Sequence, residues 1–198
     1  MPDDAKQTEI INLALLQLGG VTIAGVSEAS RSAGVMAALW TPMLKDVLRD
    51  HAWPFAKKRV TLTVTTTPVF GWDAAYTLPT DLMRMVCLGE PDEGLKWKIE
   101  GTTLVCNESS ANILYVRYVD VATGPAGASE TGLYDSKFET ALAYRLAAEG
   151  AEAITGRTGR REEMLKLYQT ALTDAETISS QEQTADEQAP SGWVDARN

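Results

Sequence analysis

The only histidine of the chain, His51, stands at the end of an apolar-striped segment, directly before Ala52-Trp53-Pro54. An imidazole serves as general base when a hydroxyl or thiol and an orienting carboxylate converge on it. The chain carries no G-x-S-x-G nucleophile elbow, and His51 reads as a helix-capping or packing residue. The stretch from Gly150 to Thr158 has the residue types of a phosphate-cradling loop. Such a loop needs four residues between its glycines, then Lys and Ser or Thr, after a strand. Here five residues separate Gly150 from Gly156, Arg157 stands in the lysine's place and the preceding segment reads as helix. A corner between two helices fits better. Glu149 with Glu152, and Glu162 with Glu163, are carboxylate pairs. Glycan hydrolysis uses two carboxylates across a sugar cleft, so Glu149 is the residue a hydrolase reading would choose. Acidic residues at helical spacing are more often a solvated face.

Cys87 and Cys106 are the only cysteines. They have no metal-ligand spacing and are too few for a disulfide scaffold. They read as reduced, buried core thiols of a cytosolic protein. Trp53, Phe55, Phe70, Trp72 and Tyr76 form a dense aromatic group beside Lys57-Lys58-Arg59, the ingredients of a base-stacking platform. An alternating strand and proline-containing turns flank them, which favours a core at a helix–sheet junction. Trp193 has no apolar neighbourhood to join within a polar terminal segment. A tryptophan so placed either folds back onto its own domain or anchors in a partner's surface; the anchor is the preferred reading, with Arg197 near enough to add a charged contact. No catalytic residue, metal ligand or cofactor is assigned.

These residues are positioned by an α+β chain: a predominantly helical bundle of about four helices, a small, mostly antiparallel β-sheet lobe and an extended C-terminal tail. A first helix is expected over Lys6–Leu18, with Ile10, Leu13, Ala14 and Gln17–Leu18 on its apolar face and Gly19-Gly20 ending it. A second runs from about Glu28 to His51, capped by Ser27, with Val35, Leu39, Met43, Val47 and Leu48 as its stripe. Pro42 should kink or interrupt it, and Pro54 sets its end. Strands are expected from Val60 to Thr65, Met83 to Leu88, Lys96 to Glu100, Thr103 to Cys106 and Asn112 to Val119, with a tight turn at Gly101-Thr102. Val121 to Gly132 is a Gly/Ala/Ser/Thr-rich loop, long enough to suggest a functional one. A third helix begins at Ser136, which has capping-box spacing to Glu139, and buries Phe138, Leu142, Leu146, Ala153 and Ile154. Gly156 stops it. A fourth spans about Gly159–Ser180, with Met164, Tyr168, Ala171, Ala175 and Ile178 at coiled-coil spacing, antiparallel to the third. The divisions are 1–58 (N-terminal helical part), 59–121 (sheet lobe), 133–180 (helical hairpin on the N-terminal helices) and 181–198 (tail). The tail is expected to be disordered in the free subunit.

With 198 residues, 44% hydrophobic content and a net charge of -9, the chain can bury a real core but is unsuited to neutralising phosphates. An acidic wall can still enclose DNA, repelling the duplex so that it slides. No apolar run approaches the roughly 20 residues of a membrane span. Met1 to Glu9 is polar and acidic, so no secretory signal is expected there.

The segments IINLALLQLG (Ile10–Gly19), RDHAWPFAKKR (Arg49–Arg59), FGW (Phe70–Trp72), YTLPTDL (Tyr76–Leu82), IEG (Ile99–Gly101), LYVRYVD (Leu114–Asp120), FETALA (Phe138–Ala143), LAAE (Leu146–Glu149), ITG (Ile154–Gly156) and WVDAR (Trp193–Arg197) follow one another in order. In that order and spacing, over nearly the whole chain, the sequence resembles the tail tubular protein A family, the head-to-tail adaptors of short-tailed bacteriophages. The resemblance implies a non-enzymatic virion protein of the tail neck, assembled in the host cytoplasm. It implies a dodecameric ring beneath the portal protein, with the genomic DNA passing through its channel unbound and no membrane partner. It places Trp193, Val194, Asp195 and Arg197 on the portal. The sheet lobe would meet the downstream tail or nozzle protein, with Gly124, Pro125 and Gly127 as a tail-facing loop, although the Val121–Gly132 segment is longer and richer in Gly and Ala than the family pattern. The alternatives are a small peptidoglycan-degrading phage enzyme and another tail-completion protein.

Overall fold

Terminal residues and apolar spacing set four helices around one core, and short alternating runs set a second core between strands. The computed structural model describes residues 3–90, 93–120, 134–157 and 159–181. Among these residues it is α+β, with four helices and two small antiparallel sheets.

Helix α1 (Asp3–Gln17) buries Ile10, Ile11, Ala14 and Leu15, and Leu18 follows it into the core. Leu13, expected on the buried face, is instead exposed. The helix is apolar on both sides, so its spacing alone could not choose the face that α3 covers. Helix α2 (Arg31–Asp50) starts three residues later than expected: Ser30, not Ser27, is the cap, its Oγ accepting from the Ala33 amide at 3.3 Å. Glu28 instead accepts from the Ala24 amide at 2.7 Å and closes the preceding loop. Met36, Trp40 and Leu44 are buried with Met43, Val47 and Leu48, while Val35 and Leu39 lie at the edge of the stripe. The helix continues through Pro42. Pro42 and Ala38 lie on the exposed side, where water can take the Ala38 carbonyl that loses its donor.

After a short 3-10 turn (Pro54–Ala56), β1 (Lys57–Leu62) and β2 (Val64–Thr66) form where one strand was expected; the chain changes sheet at Thr63. Strands β3 (Ala74–Thr77), β4 (Leu82–Leu88), β5 (Trp97–Glu100), β6 (Thr103–Cys106) and β7 (Ala111–Arg117) follow. One sheet has the order β1-β7-β4, with Lys57 opposite Val116 and Leu62 opposite Ala111. The other has the order β2-β3-β6-β5. The expected turn at Gly101-Thr102 joins β5 to β6, with Glu100 opposite Thr103. Strand β3 was not foreseen, because its burial pattern is continuous (Ala74, Ala75, Tyr76) and carries no alternation. Tyr76, Leu104, Cys106, Ile113 and Tyr115 centre the core of this lobe.

Helix α3 (Ser136–Thr155) is capped by Asp135, whose carboxylate accepts from the Lys137 amide at 3.1 Å. Ser136 is therefore the first helical residue and not the cap. Glu139, expected in a capping box, reaches Lys6 of α1 at 2.7 Å. Gly156 takes φ 68°, the left-handed conformation that ends a helix without a Cβ clash. Helix α4 (Gly159–Gln181) packs on α3 and buries Met164, Tyr168, Ala171 and Ala175, with Ile178 at the margin. Gly150 sits where α3 meets α2: a Cβ there would lie 3.0 Å from the Met36 methyl. Its lack of a side chain serves close helix packing. Among the described residues, no helix is long and apolar enough to cross a membrane.

The Lys6–Glu139 pair ties α1 to α3 with both side chains mostly shielded. Its hydrogen bond to Glu139 raises the Lys6 pKa above the ordinary lysine value of 10.5, against the opposing effect of burial. A raised lysine pKa contributes stability below the unfolded value and loses it as pH rises through the folded one. Lys6→Met is therefore expected to cost about 0.5–1 kcal/mol in urea unfolding at neutral pH. The difference from the parent should shrink above pH 10.5; a gap that stays constant there would show that the charge contributes nothing.

Candidate functional site

The residues singled out for chemistry are drawn into packing. His51 caps the C-terminus of α2, its ring edge-on to Trp53 at 4.8 Å. Burial is the main influence that lowers its pKa; Lys57 and Arg84 add to it and Glu176 opposes. Glu149 Oε1 is held by two guanidiniums, Arg161 at 2.9 Å and Arg145 at 3.3 Å. Arg145 also reaches Asp46 at 3.1 Å and lies over the Tyr168 ring. The Tyr168 hydroxyl donates to Asp50 at 2.6 Å, and burial above all raises its pKa well beyond that of a free phenol. This network joins α2, α3 and α4. Glu162 is exposed, and Glu163 pairs with Arg160 one turn away. The Gly150–Gly156 stretch is the end of α3, as the corner reading expects, while Thr158 lies outside the described residues. Cys106 is buried and free; Cys87 is also free but only half-buried, so it departs from the expected core thiol. Among the described residues, no group of three or more His, Cys, Asp or Glu side chains is placed to hold a metal.

The aromatic group does not share one core, contrary to expectation. Trp53 and Phe55 join the helical core with Phe138 and Tyr134. Tyr76 belongs to the sheet core, its hydroxyl donating to the Glu108 carbonyl. Phe70 is 87% exposed at the tip of the β2–β3 hairpin, beside Val69 at 98%. The physical reason is local: Pro68 and Gly71 turn the chain there, and the strands flanking the turn are too short to fold the tip back onto either core.

A second apolar surface lies on the bundle. The outer side of α1, the loop after it and Glu139 of α3 form an open groove of about 670 Å³, lined by the apolar Ala5, Leu13, Leu16 and Ala24 and by the polar Glu9, Asn12 and Glu139. Leu13 is 37% and Leu16 60% exposed, and Val21 in the same loop is 83% exposed. Sequence reasoning missed both surfaces. The signals were present: the second half of α1, from Ile10 to Leu16, has Asn12 as its one polar residue, and no residue between Arg59 and Asp73 is charged.

The expected portal-docking residues Trp193, Val194, Asp195 and Arg197, and the expected tail-facing residues Gly124, Pro125 and Gly127, lie outside the described residues. The described residues on either side of 121–133, Asp120 and Tyr134, are both hydrogen-bonded. Asp120 is buried, accepting from Trp40 Nε1 at 3.1 Å and from the Tyr118 hydroxyl at 2.7 Å. On the far side, the Tyr134 hydroxyl donates to the Val119 carbonyl at 2.9 Å. Asp120 is thus tied to α2, and Tyr134 to Val119 at the end of the sheet lobe.

No protein-family model and no curated protein matches the sequence.

Proposed function

We propose that the chain is a non-enzymatic assembly subunit: a head-to-tail connector of a tailed bacteriophage, forming a dodecameric ring between the portal and the tail through which DNA passes. The observation that carries this reading is the apolar surface left open on both lobes, Leu13, Leu16 and Val21 on the bundle and Val69 with Phe70 on the sheet lobe. Uncovered apolar surface on a chain of net charge -9 fits a protein that other protein subunits cover. The ordered segments that resemble the tail tubular protein A family supply which assembly. The engagement of Glu149 by two arginines favours a packing role for that carboxylate over work on a peptidoglycan. The acidic balance suits a channel wall that does not retain outgoing DNA.

In this reading, the terminal segment with Trp193, Val194, Asp195 and Arg197 docks on the portal, the sheet lobe faces the downstream tail protein, and the ring sits in the virion neck. The test is co-purification with the portal protein encoded by the same genome. Trp193→Ala is expected to weaken portal binding by about 2–4 kcal/mol, the range of an interface hot spot, with an unchanged circular-dichroism spectrum. Equal portal binding by the protein lacking residues 184–198 would discard the tail assignment. Absence of any portal binding by the intact chain would discard the connector.

A further inference from the structure

We propose that the cleft between strands β4 and β5 receives an extended, acidic segment of a partner protein, its carboxylates on Arg49 and Arg84 and its backbone along the free edge of β5. The inference stands apart from the connector reading. The cleft, of about 810 Å³, opens between the ends of the two sheets: β4 is an edge strand of one and β5 an edge strand of the other. Leu82, Met85, Trp97 and Ile99 belong to its apolar lining, and Arg49 and Arg84 are its only charged lining residues.

Charge selects the occupant. The two arginines are held by backbone: Arg49 Nη1 donates to the Met83 carbonyl at 2.9 Å, and Arg84 Nη1 donates to the Arg49 carbonyl at 2.8 Å. Both are thereby fixed by neutral acceptors, and among the described residues neither has a carboxylate partner. Asp50, next to Arg49 in the chain, accepts from the Tyr168 hydroxyl instead. Two like charges held close together without a counter-ion repel, and a carboxylate set on both relieves that repulsion. The chain's net charge of -9 does not undo this, because exposed charges more than about 8 Å away are largely screened at physiological ionic strength.

Backbone selects its form. Strand β5 joins β6 through a two-residue turn, with Glu100 opposite Thr103 and Lys98 opposite Val105. Those two pairs exchange the ladder hydrogen bonds, so the alternate residues Trp97 and Ile99 turn their N–H and C=O groups to the free edge. An extended peptide takes up such groups as an added strand, while its apolar side chains cover Met85, Trp97 and Ile99. A nucleic acid brings phosphates without strand hydrogen bonds or apolar side chains, and its binding needs a longer run of cations than two arginines.

The test titrates the full-length, isotope-labelled chain with an end-capped peptide of alternating valine and glutamate, and with its glutamine counterpart, following the backbone amides by NMR. Saturable shifts are expected at residues 77–85 and 97–102. The glutamine peptide should bind about tenfold more weakly, as for the loss of one charged hydrogen bond. Arg49→Gln and Arg84→Gln should each weaken the glutamate peptide by about the same factor. Ile99→Pro removes an outward N–H from an edge strand, where proline is tolerated, and should weaken both peptides. The comparison of the two peptides on the unaltered chain tests the charge without any variant, so it decides even where a variant fails to fold. No saturable shift at millimolar peptide, shifts centred on other residues, or equal binding of the two peptides would overturn the proposal. So would inorganic phosphate or a single-stranded oligonucleotide binding the same residues more tightly than the glutamate peptide. Tighter peptide binding by a chain carrying Glu182→Gln, Asp186→Asn and Glu187→Gln would overturn it too, since the chain's own acidic segment would then be the occupant.

Discussion

Phe138→Ala is expected to destabilise the protein by about 3–5 kcal/mol, the range for emptying a fully buried phenylalanine site. Phe138 is completely buried and lies edge-on to three aromatic rings: Trp53 at 5.0 Å, Phe55 at 4.9 Å and Tyr134 at 4.6 Å. Those rings come from the segment after α2 and from the residue pair that leads into α3. The phenyl group therefore joins the entrance of the sheet lobe to the bundle. The surrounding rings are large and held by their own contacts, Trp53 by its Nε1 donating to the Val47 carbonyl at 2.8 Å. They cannot collapse into the vacated space, which puts the cost at the upper part of the range. Against a total stability of roughly 5–15 kcal/mol for a domain, such a loss leaves the native state marginal. Urea unfolding should show a lower midpoint at the same slope. A loss under about 1 kcal/mol would mean that the four rings do not hold the lobes together.

Trp40→Ala should cost a similar amount, about 3–5 kcal/mol, for a different mixture of reasons. The indole is buried in the bundle, and its Nε1 donates to Asp120, a residue only 4% exposed. Truncation both opens a cavity and takes a donor from a buried carboxylate. Trp40→Phe separates the two, keeping most of the ring and losing the donor, and is expected to cost about 1–3 kcal/mol. Since Asp120 is the last described residue before the 121–133 segment, the milder variant should also speed amide exchange at the end of β7. Equal stability and equal exchange in Trp40→Phe would show that the Trp40–Asp120 bond fastens nothing.

The elements that position these residues were legible to different degrees, for identifiable reasons. Helices α3 and α4 declared themselves because Phe138, Leu142 and Leu146, and then Met164, Tyr168, Ala171 and Ala175, recur at helical spacing and are buried. The stop at Gly156 follows from its conformation. Caps were misplaced by one to three residues because Ser27, Ser30, Asp135 and Ser136 are all competent acceptors, and only the tertiary path decides which one is used. The break at Thr63 was invisible because Val60 to Thr65 alternates without interruption, and an alternating pattern does not say to which sheet each half belongs. Phe70 was placed in the core on its residue type, whereas a turn containing Pro68 and Gly71 carries whatever it holds out of the lobe. Asp120 gave no local sign of its role, since its partner Trp40 is eighty positions earlier.

The interleaving of the two sheets sets an order on synthesis. Strands β1, β4 and β7 belong to one sheet and β2, β3, β5 and β6 to the other, so the first cannot be finished before Arg117 has left the ribosome. Helices α1 and α2 both lay their buried faces against α3, which is translated later still. At roughly 5–20 residues per second, the nascent chain spends seconds with a completed sheet lobe and two unmatched apolar helices. Those helices, made first and housed last, are the part of the newborn polypeptide that a chaperone would hold.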